Sequence, residues 1–122
     1  MRSEAQYLDD IVAAADVISQ FIRDLSFESF VGDDVLRNAI LFKLVVIGEA
    51  VARLPPEFRK RYPDIEWSSP SSFRNAIVHG YFAVDWQIVW DTVVDDVPLL
   101  RRQVETIIAT EYPPPSEEPS SS

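Results

Sequence analysis

The chain of 122 residues is 47% hydrophobic and 25% charged, a composition that is typical of one soluble globular domain and excludes a wholly disordered chain. Its 20 acidic and 11 basic residues give a net charge of −9, which argues against binding of RNA or DNA through a broad basic face but leaves a local basic site open. The absence of cysteine excludes disulfides, thiolate metal sites and cysteine nucleophiles, and the single histidine excludes a multi-histidine metal site within one chain.

The first two predicted helices carry apolar stripes with a period of three to four residues. Ser3 and Gln6 match a capping box at the start of the first, whose stripe is Leu8, Ile11, Val12, Ala15, Ile18, Ile22 and Leu25. The second begins after Gly32 with Asp33 as its N-cap, and Pro55 with Pro56 ends it. It runs through Val35, Leu36, Ala39, Ile40, Lys43, Leu44, Ile47, Ala50, Val51 and Leu54.

The remaining predicted elements are also helical. A short helix is predicted over 57–61, and two serines before Pro70 indicate the start of a further helix that covers 73–80. A final helical stretch begins at Asp85, is kinked or broken before Pro98, and resumes through Ile108. No strand pattern of useful length and no internal repeat is present, so residues 1–110 are predicted to form an all-α bundle of four or five helices.

Residues 111–122 differ in composition from this domain, with four prolines, four serines and three acids. They cannot bury a core, so we predict a disordered acidic tail. Without its three acids, 17 acidic and 11 basic residues remain, and the domain is still acidic at −6. No apolar stretch is long enough to span a bilayer and the N-terminus lacks the apolar core of a signal peptide, so a cytoplasmic protein without a membrane partner is expected.

The string from Phe73 to Tyr81 concentrates the residues that can carry chemistry. On an ideal helix Asn75 and His79 share one face, whereas Arg74 diverges from His79 by about 140°. Histidine can exchange a proton near neutral pH and arginine can hold a phosphate, which favours phosphodiester cleavage. RNA supplies its own nucleophile in the 2′-hydroxyl, so no metal or cofactor is needed. From the residues alone, a structural histidine without a catalytic role remains the alternative.

The string Arg74-x4-His79-x-Tyr81 resembles the Arg-x4-His-x-Tyr motif of HepT toxins, which are ribonucleases of the HEPN domain superfamily. Four further segments occur in the family's order, and the resemblance covers roughly residues 4–108. The first three are Tyr7-Leu8-Asp9-Asp10-Ile11, Val46-Ile47-Gly48-Glu49-Ala50 and Asp64-Ile65-Glu66-Trp67. The fourth runs from Val84-Asp85 through Val89-Trp90 to Asp96-Val97-Pro98-Leu99-Leu100. The resemblance implies a HEPN-type bundle and a metal-independent endoribonuclease that acts as a two-fold homodimer.

The resemblance also implies roles for the motif residues. Arg74 would bind the scissile phosphate, His79 would act as general base or acid, and Asn75 would orient the imidazole or the RNA. Tyr81 would be the residue to which an MNT-family nucleotidyltransferase antitoxin transfers AMP. The helices that flank the motif would form the dimer, with the Gly48 face of the second helix and the motif helix as the expected surface. HEPN domains can instead be non-catalytic modules that bind substrate or nucleotide for a partner nucleotidyltransferase.

Several residues outside the motif are weaker candidates. Glu49 could brace the arginine or histidine, or could form a plain salt bridge or face solvent. Arg53, Arg59, Lys60 and Arg61 could follow an RNA backbone or contact an acidic partner, with a solvated loop as the alternative. The tryptophans Trp67, Trp86 and Trp90 could stack bases, although the spacing of the last two favours core packing. The acids Asp91, Asp95 and Asp96 are better explained by an outer helix face than by a metal site, and DNA is not an expected partner.

Overall fold

The computed structural model describes residues 3–68 and 84–115, and every regular element in these ranges is helical. The all-α prediction is therefore confirmed. The predicted helix over 73–80 lies outside the described residues. The elements are α1 Glu4–Ile22, α2 Phe27–Val31, α3 Asp34–Arg53, α4 Pro56–Lys60, α5 Trp86–Asp91 and α6 Val97–Glu111, with a π-helical turn at Thr92–Asp96 between the last two.

The start of α1 is the predicted capping box. The hydroxyl of Ser3 accepts a hydrogen bond from the backbone N–H of Gln6 at 3.3 Å, and the backbone N–H of Ser3 donates to Oε1 of Gln6 at 2.7 Å. The helix ends at Ile22 because Arg23 leaves the helical region and Asp24 adopts a left-handed φ of 60°. Leu25 therefore lies beyond the helix, although it still packs against the core.

The predicted bounds of α3 are confirmed. The carboxylate of Asp33 accepts from the backbone N–H of Leu36 at 3.0 Å, and Leu54 caps the other end before the two prolines. Val35 is 80% exposed, so its place in the predicted apolar stripe was wrong. The short helix α2 was not predicted; Ser26 caps it and its Phe30 is completely buried.

The later helices follow the predicted order. Helix α4 begins one residue before the predicted start. Asp85 caps α5 by accepting from the backbone N–H groups of Gln87 and Ile88. The predicted interruption before Pro98 is a π-helical turn, so the chain stays helical from α5 into α6. The hydroxyl of Thr92 donates to the carbonyl of Ile88 at 2.8 Å, a side-chain bond back along the helix that often accompanies such irregularities.

The core lies between α1, α3 and α6, with α2 and α5 closing one end. An ion pair of 2.5 Å between Arg101 and Asp16 also joins α6 to α1. Among the residues that the structure describes, twenty-two hydrophobic side chains form one buried cluster. Its largest completely buried members include Phe30, Phe58, Leu8, Ile11, Ile18, Ile40, Leu44 and Ile47. No helix within the described ranges is long and apolar enough to cross a membrane.

The C-terminal boundary of the folded domain differs from the prediction. Glu111 is the last residue of α6 and pairs with Arg61 at 2.6 Å, and the hydroxyl of Tyr112 donates to Glu4 at 2.9 Å. The predicted tail therefore began too early, because these two residues belong to the folded domain. Residues 116–122 lie outside the described residues, so disorder there stays a prediction.

Candidate functional site

The four motif residues Arg74, Asn75, His79 and Tyr81 lie outside the described residues. Their predicted roles and mutual geometry therefore stay predictions. The structure does describe the chain immediately before and after them, together with the helices that carry the other candidates.

The chain enters the motif segment from a point that Trp67 anchors. Its side chain is 7% exposed and meets the ring of Phe58 edge-on at 6.4 Å between centroids. Its indole N–H donates to the carbonyl oxygen of Tyr62 at 3.1 Å. The backbone N–H groups of Ile65 and Trp67 also bond within this turn, to Tyr62 and Ile65. This tryptophan is therefore a buried anchor, and base stacking on its faces is not supported.

The chain leaves the motif segment into an aromatic cluster. Trp86 and Trp90 pack on Phe30 with ring centroids 5.9 and 5.2 Å away, as their spacing predicted. The guanidinium of Arg37 lies 5.0 Å from the centroid of the Trp86 ring. The same arginine donates to the carbonyl oxygen of Val31 and to Asp34. The start of α5 is therefore held in place by α2 and α3.

Arg37 was missed as a structural residue at the sequence level. Its side chain is 19% exposed and joins the end of α2, the start of α3 and the start of α5. A signal was present, because it lies three residues after Asp34 and one turn before the buried Leu41. That spacing places an arginine on the inward side of a helix, where it needs a partner.

Glu49 forms the plain salt bridge that was one of its alternatives. Its carboxylate accepts from Nε of Arg53, four residues later, at 3.1 Å. The two side chains are 44% and 62% exposed, so the pair is solvated and contributes little to stability. A bracing contact from Glu49 to Arg74 or His79 involves residues outside the described ranges and stays a prediction.

The other three basic candidates have different surroundings. Arg61 pairs with Glu111 and lies 4.8 Å over the ring of Phe58. The hydrogen bond that its guanidinium donates to Glu111 raises the pKa of Arg61. Its contacts are therefore structural. Nε of Arg59 is buried without a hydrogen-bond partner among the described residues, whereas Lys60 is exposed. Arg59, Lys60 and Arg61 therefore lie together on α4 and the turn that follows it. Arg53, the fourth basic candidate, lies on α3 in its pair with Glu49.

A small cavity of about 140 Å³ lies beside the chain that leads into the motif. Its apolar walls come from α3, α6 and the π-helical turn, including Leu44, Ile47 and Leu100. Asp64, Glu66 and Asp96 also line it. These three carboxylates make the cavity unsuitable for an RNA phosphate.

The described residues contain no group of three or more His, Cys, Asp or Glu side chains that could hold a metal ion. Asp91, Asp95 and Asp96 are exposed on the outer side of α5 and the π-helical turn, and Asp91 accepts from the side chain of Gln87 at 2.9 Å. The predicted outer helix face accounts for their positions.

Comparisons with known proteins identify relatives along most of the chain. Residues 11–107 match the family model described as ribonuclease HepT-like. The chain is 36% identical over 106 residues to a protein of Thermococcus cleftensis named "Probable ribonuclease HepT", a match that spans 87% of this chain and 96% of that one. It is 35% identical over 111 residues to a provisionally named RNase of Caldanaerobacter subterraneus subsp. tengcongensis, spanning 91% and 99%. A provisionally named RNase of Methanocaldococcus jannaschii is 30% identical over 106 residues, spanning 87% and 97%. No solved structure matches the chain.

Proposed function

The chain belongs to the HepT-like ribonuclease family, and we propose on that basis that it is an endoribonuclease and the toxin of a toxin–antitoxin pair. One observation carries the proposal. The family match over residues 11–107 includes the intact string Arg74-x4-His79-x-Tyr81, and the matched relatives are named as ribonucleases. The chain is acidic, and its arginine and histidine are concentrated in one motif. This distribution suits an enzyme that cleaves a single phosphodiester bond better than a protein that coats nucleic acid.

The proposed reaction is a transesterification within the RNA. The 2′-oxygen attacks the adjacent phosphorus, the bond from phosphorus to the 5′-oxygen breaks, and the products are a 2′,3′-cyclic phosphate and a 5′-hydroxyl. His79 removes the proton from the 2′-hydroxyl or supplies one to the leaving 5′-oxygen. Arg74 neutralises the charge on the phosphoryl oxygens, and Asn75 orients the imidazole or the RNA.

The proposed antitoxin is an MNT-family nucleotidyltransferase that modifies Tyr81. The phenol oxygen of Tyr81 attacks the α-phosphorus of ATP, pyrophosphate leaves, and AMP stays attached through a phosphodiester bond. The added phosphate places a negative charge seven residues from Arg74, which occupies the site and repels RNA. Inhibition then needs no unfolding.

The proposed enzyme is a homodimer, because on an ideal helix Arg74 and His79 of one chain diverge. Two chains that share a cleft allow the arginine of one to act beside the histidine of the other. Of the four basic candidates outside the motif, exposed Lys60 and half-buried Arg59 remain the better ones for contact with RNA or the antitoxin, since Arg53 and Arg61 are held in ion pairs.

The test of this proposal is the chemistry of the RNA ends. Purified protein is incubated with a labelled RNA in the presence of excess EDTA, and the termini of the products are analysed. We expect cleavage that EDTA does not reduce, with cyclic phosphate and 5′-hydroxyl ends. Loss of cleavage in EDTA, or products with 5′-phosphates, would overturn the proposed mechanism. A folded chain that cuts no RNA but binds nucleotide would instead favour the non-catalytic module.

A further inference from the structure

The cavity beside the chain that leads into the motif has no role in the proposed reaction. Its volume is about 140 Å³, and it is partly open to solvent. Leu44 and Ile47 of α3 and Leu100 of α6 give it apolar walls that are almost completely buried. An apolar cavity of about 150 Å³ in a protein core can hold a benzene molecule. The space therefore suits a small ligand whose apolar body is about the size of one aromatic ring.

Three of the polar groups that line this cavity are carboxylates. They belong to Asp64, Glu66 and Asp96, whose side chains are exposed. Glu66 accepts a hydrogen bond from the hydroxyl of Ser68 at 2.8 Å. The carboxylates of Asp64 and Asp96 have no hydrogen bond or ion pair with any other residue in the ranges 3–68 and 84–115. Two negative groups that line the apolar space are therefore available to a ligand.

The rest of the polar lining also favours a ligand that donates hydrogen bonds. The side chain of Thr92 is 7% exposed, and its hydroxyl donates to the carbonyl oxygen of Ile88 at 2.8 Å. Its oxygen is therefore left as an acceptor, whereas the amide of Gln103 can both donate and accept. No lysine or arginine of the described chain lines the cavity. A positively charged donor is the ligand group that complements this lining.

The cavity also lies where the helical backbone is irregular. Thr92 begins the π-helical turn and Asp96 ends it, and both line the cavity. Single π-helical turns within α-helices occur frequently at functional sites. Asp64 and Glu66 lie in the chain that runs into the motif. A ligand that pairs with acids from both segments therefore joins the chain before the motif to the turn between α5 and α6.

We propose that this cavity binds a small organic cation, with an ammonium or amidinium group on a short aromatic or aliphatic body. The body leaves water by packing against Leu44, Ile47 and Leu100, and the cationic group pairs with Asp64 and Asp96. Both parts are needed, because an exposed ion pair alone contributes little and the cavity buries only a small apolar area. This binding requires no ribonuclease activity.

The first test uses benzylamine, which is positively charged at neutral pH. Titration of the full chain, followed through the backbone amide signals of Leu44 and Leu100 by NMR, should saturate with a Kd of about 1 mM or below. Benzyl alcohol keeps the ring without the charge and methylamine keeps the charge without the ring, so each should bind at least about tenfold more weakly. Absence of saturable benzylamine binding, or benzyl alcohol binding as tightly, would overturn the proposal.

The second test removes the two available carboxylates. The double variant Asp64→Asn with Asp96→Asn keeps the shape of both side chains and should raise the Kd of benzylamine at least about tenfold. The control is Asp91→Asn with Asp95→Asn, which changes the net charge equally at exposed acids outside the cavity lining. Its Kd should stay within about twofold of wild type. Circular dichroism checks that both variants keep their helices, and equal weakening in the two would overturn the site.

Discussion

Replacement of Trp67, the anchor before the motif, by phenylalanine is expected to destabilise the domain. In Trp67→Phe the six-membered ring remains but the indole N–H and the rest of the bicycle are lost. The lost hydrogen bond, 3.1 Å long, costs about 1 kcal/mol. The carbonyl of Tyr62 is not left unsatisfied, because it also accepts from the backbone N–H of Ile65 at 3.2 Å. The missing apolar atoms and the space they leave cost about 1–2 kcal/mol more.

The expected total is therefore about 2–3 kcal/mol of unfolding free energy, or roughly 10 °C in Tm for a domain of this size. Urea unfolding followed by circular dichroism measures it without relying on tryptophan fluorescence. Trp90→Phe is the control. The contacts of Trp90 with Phe27 and Phe30 are aromatic and survive in part in the variant, so the loss of unfolding free energy should be smaller than in Trp67→Phe. A Trp67→Phe protein within about 0.5 kcal/mol of wild type would refute the role of this side chain as an anchor.

Three further predictions concern the C-terminal contacts, the link between α1 and α6, and the motif tyrosine. Burial, and after it the hydrogen bond to Glu4, raises the pKa of the Tyr112 hydroxyl. Because the folded protein favours the neutral phenol, Tyr112 contributes its full stabilisation below the unfolded pKa of about 10. That stabilisation is lost as the pH rises through the folded pKa. Tyr112→Phe should therefore make stability fall less steeply above pH 10 in alkaline unfolding curves, and identical curves would contradict this. Asp16→Ala removes one of the two carboxylates that pair with Arg101 and leaves Glu105. Because the side chains of Asp16 and Arg101 are 47% and 33% exposed, urea unfolding should show a loss of less than about 1 kcal/mol. Tyr81→Phe should keep its fold and stay active when the antitoxin and ATP are added, whereas the wild-type chain should lose activity and gain the mass of AMP in intact-mass spectra. An unmodified Tyr81 in a fully inhibited wild-type complex would mean that the antitoxin inhibits by occlusion.

The helix boundaries were predictable where a few neighbouring residues decide them. The Ser3–Gln6 box, the Asp33 cap and the Asp85 cap each depend on side chains within three positions of the backbone group they bind. Helix α2 was missed because five residues are too few to show a helical period. The exposure of Val35 was missed because periodicity identifies a stripe but does not show where its first members leave the core.

Contacts between distant residues were not predictable from the sequence. Arg61 was a candidate for RNA contact, but it is held by Glu111, fifty residues later. Tyr112 was assigned to the tail, but it bonds to Glu4, which is 108 residues away. No local pattern encodes either pair, since the first depends on the end of α6 meeting the turn after α4 and the second on the same end meeting the start of α1.

The candidate site was predicted from a sequence motif, Arg74-x4-His79-x-Tyr81, whose residues lie outside the described ranges. The family match confirms the resemblance that pointed to it. What the structure adds is the pair of anchors, Trp67 before the string and the Trp86 cluster after it.

We propose that His79 transfers a proton during RNA cleavage, and the cleavage rate of His79→Ala beside wild type, measured with enzyme in excess over RNA, tests this role. We expect the variant to keep the wild-type Tm and helical content and to lose cleavage by at least about a hundredfold, the usual contribution of a general acid or base. A folded His79→Ala protein that cuts the same RNA at the wild-type rate would show that His79 does not transfer the proton.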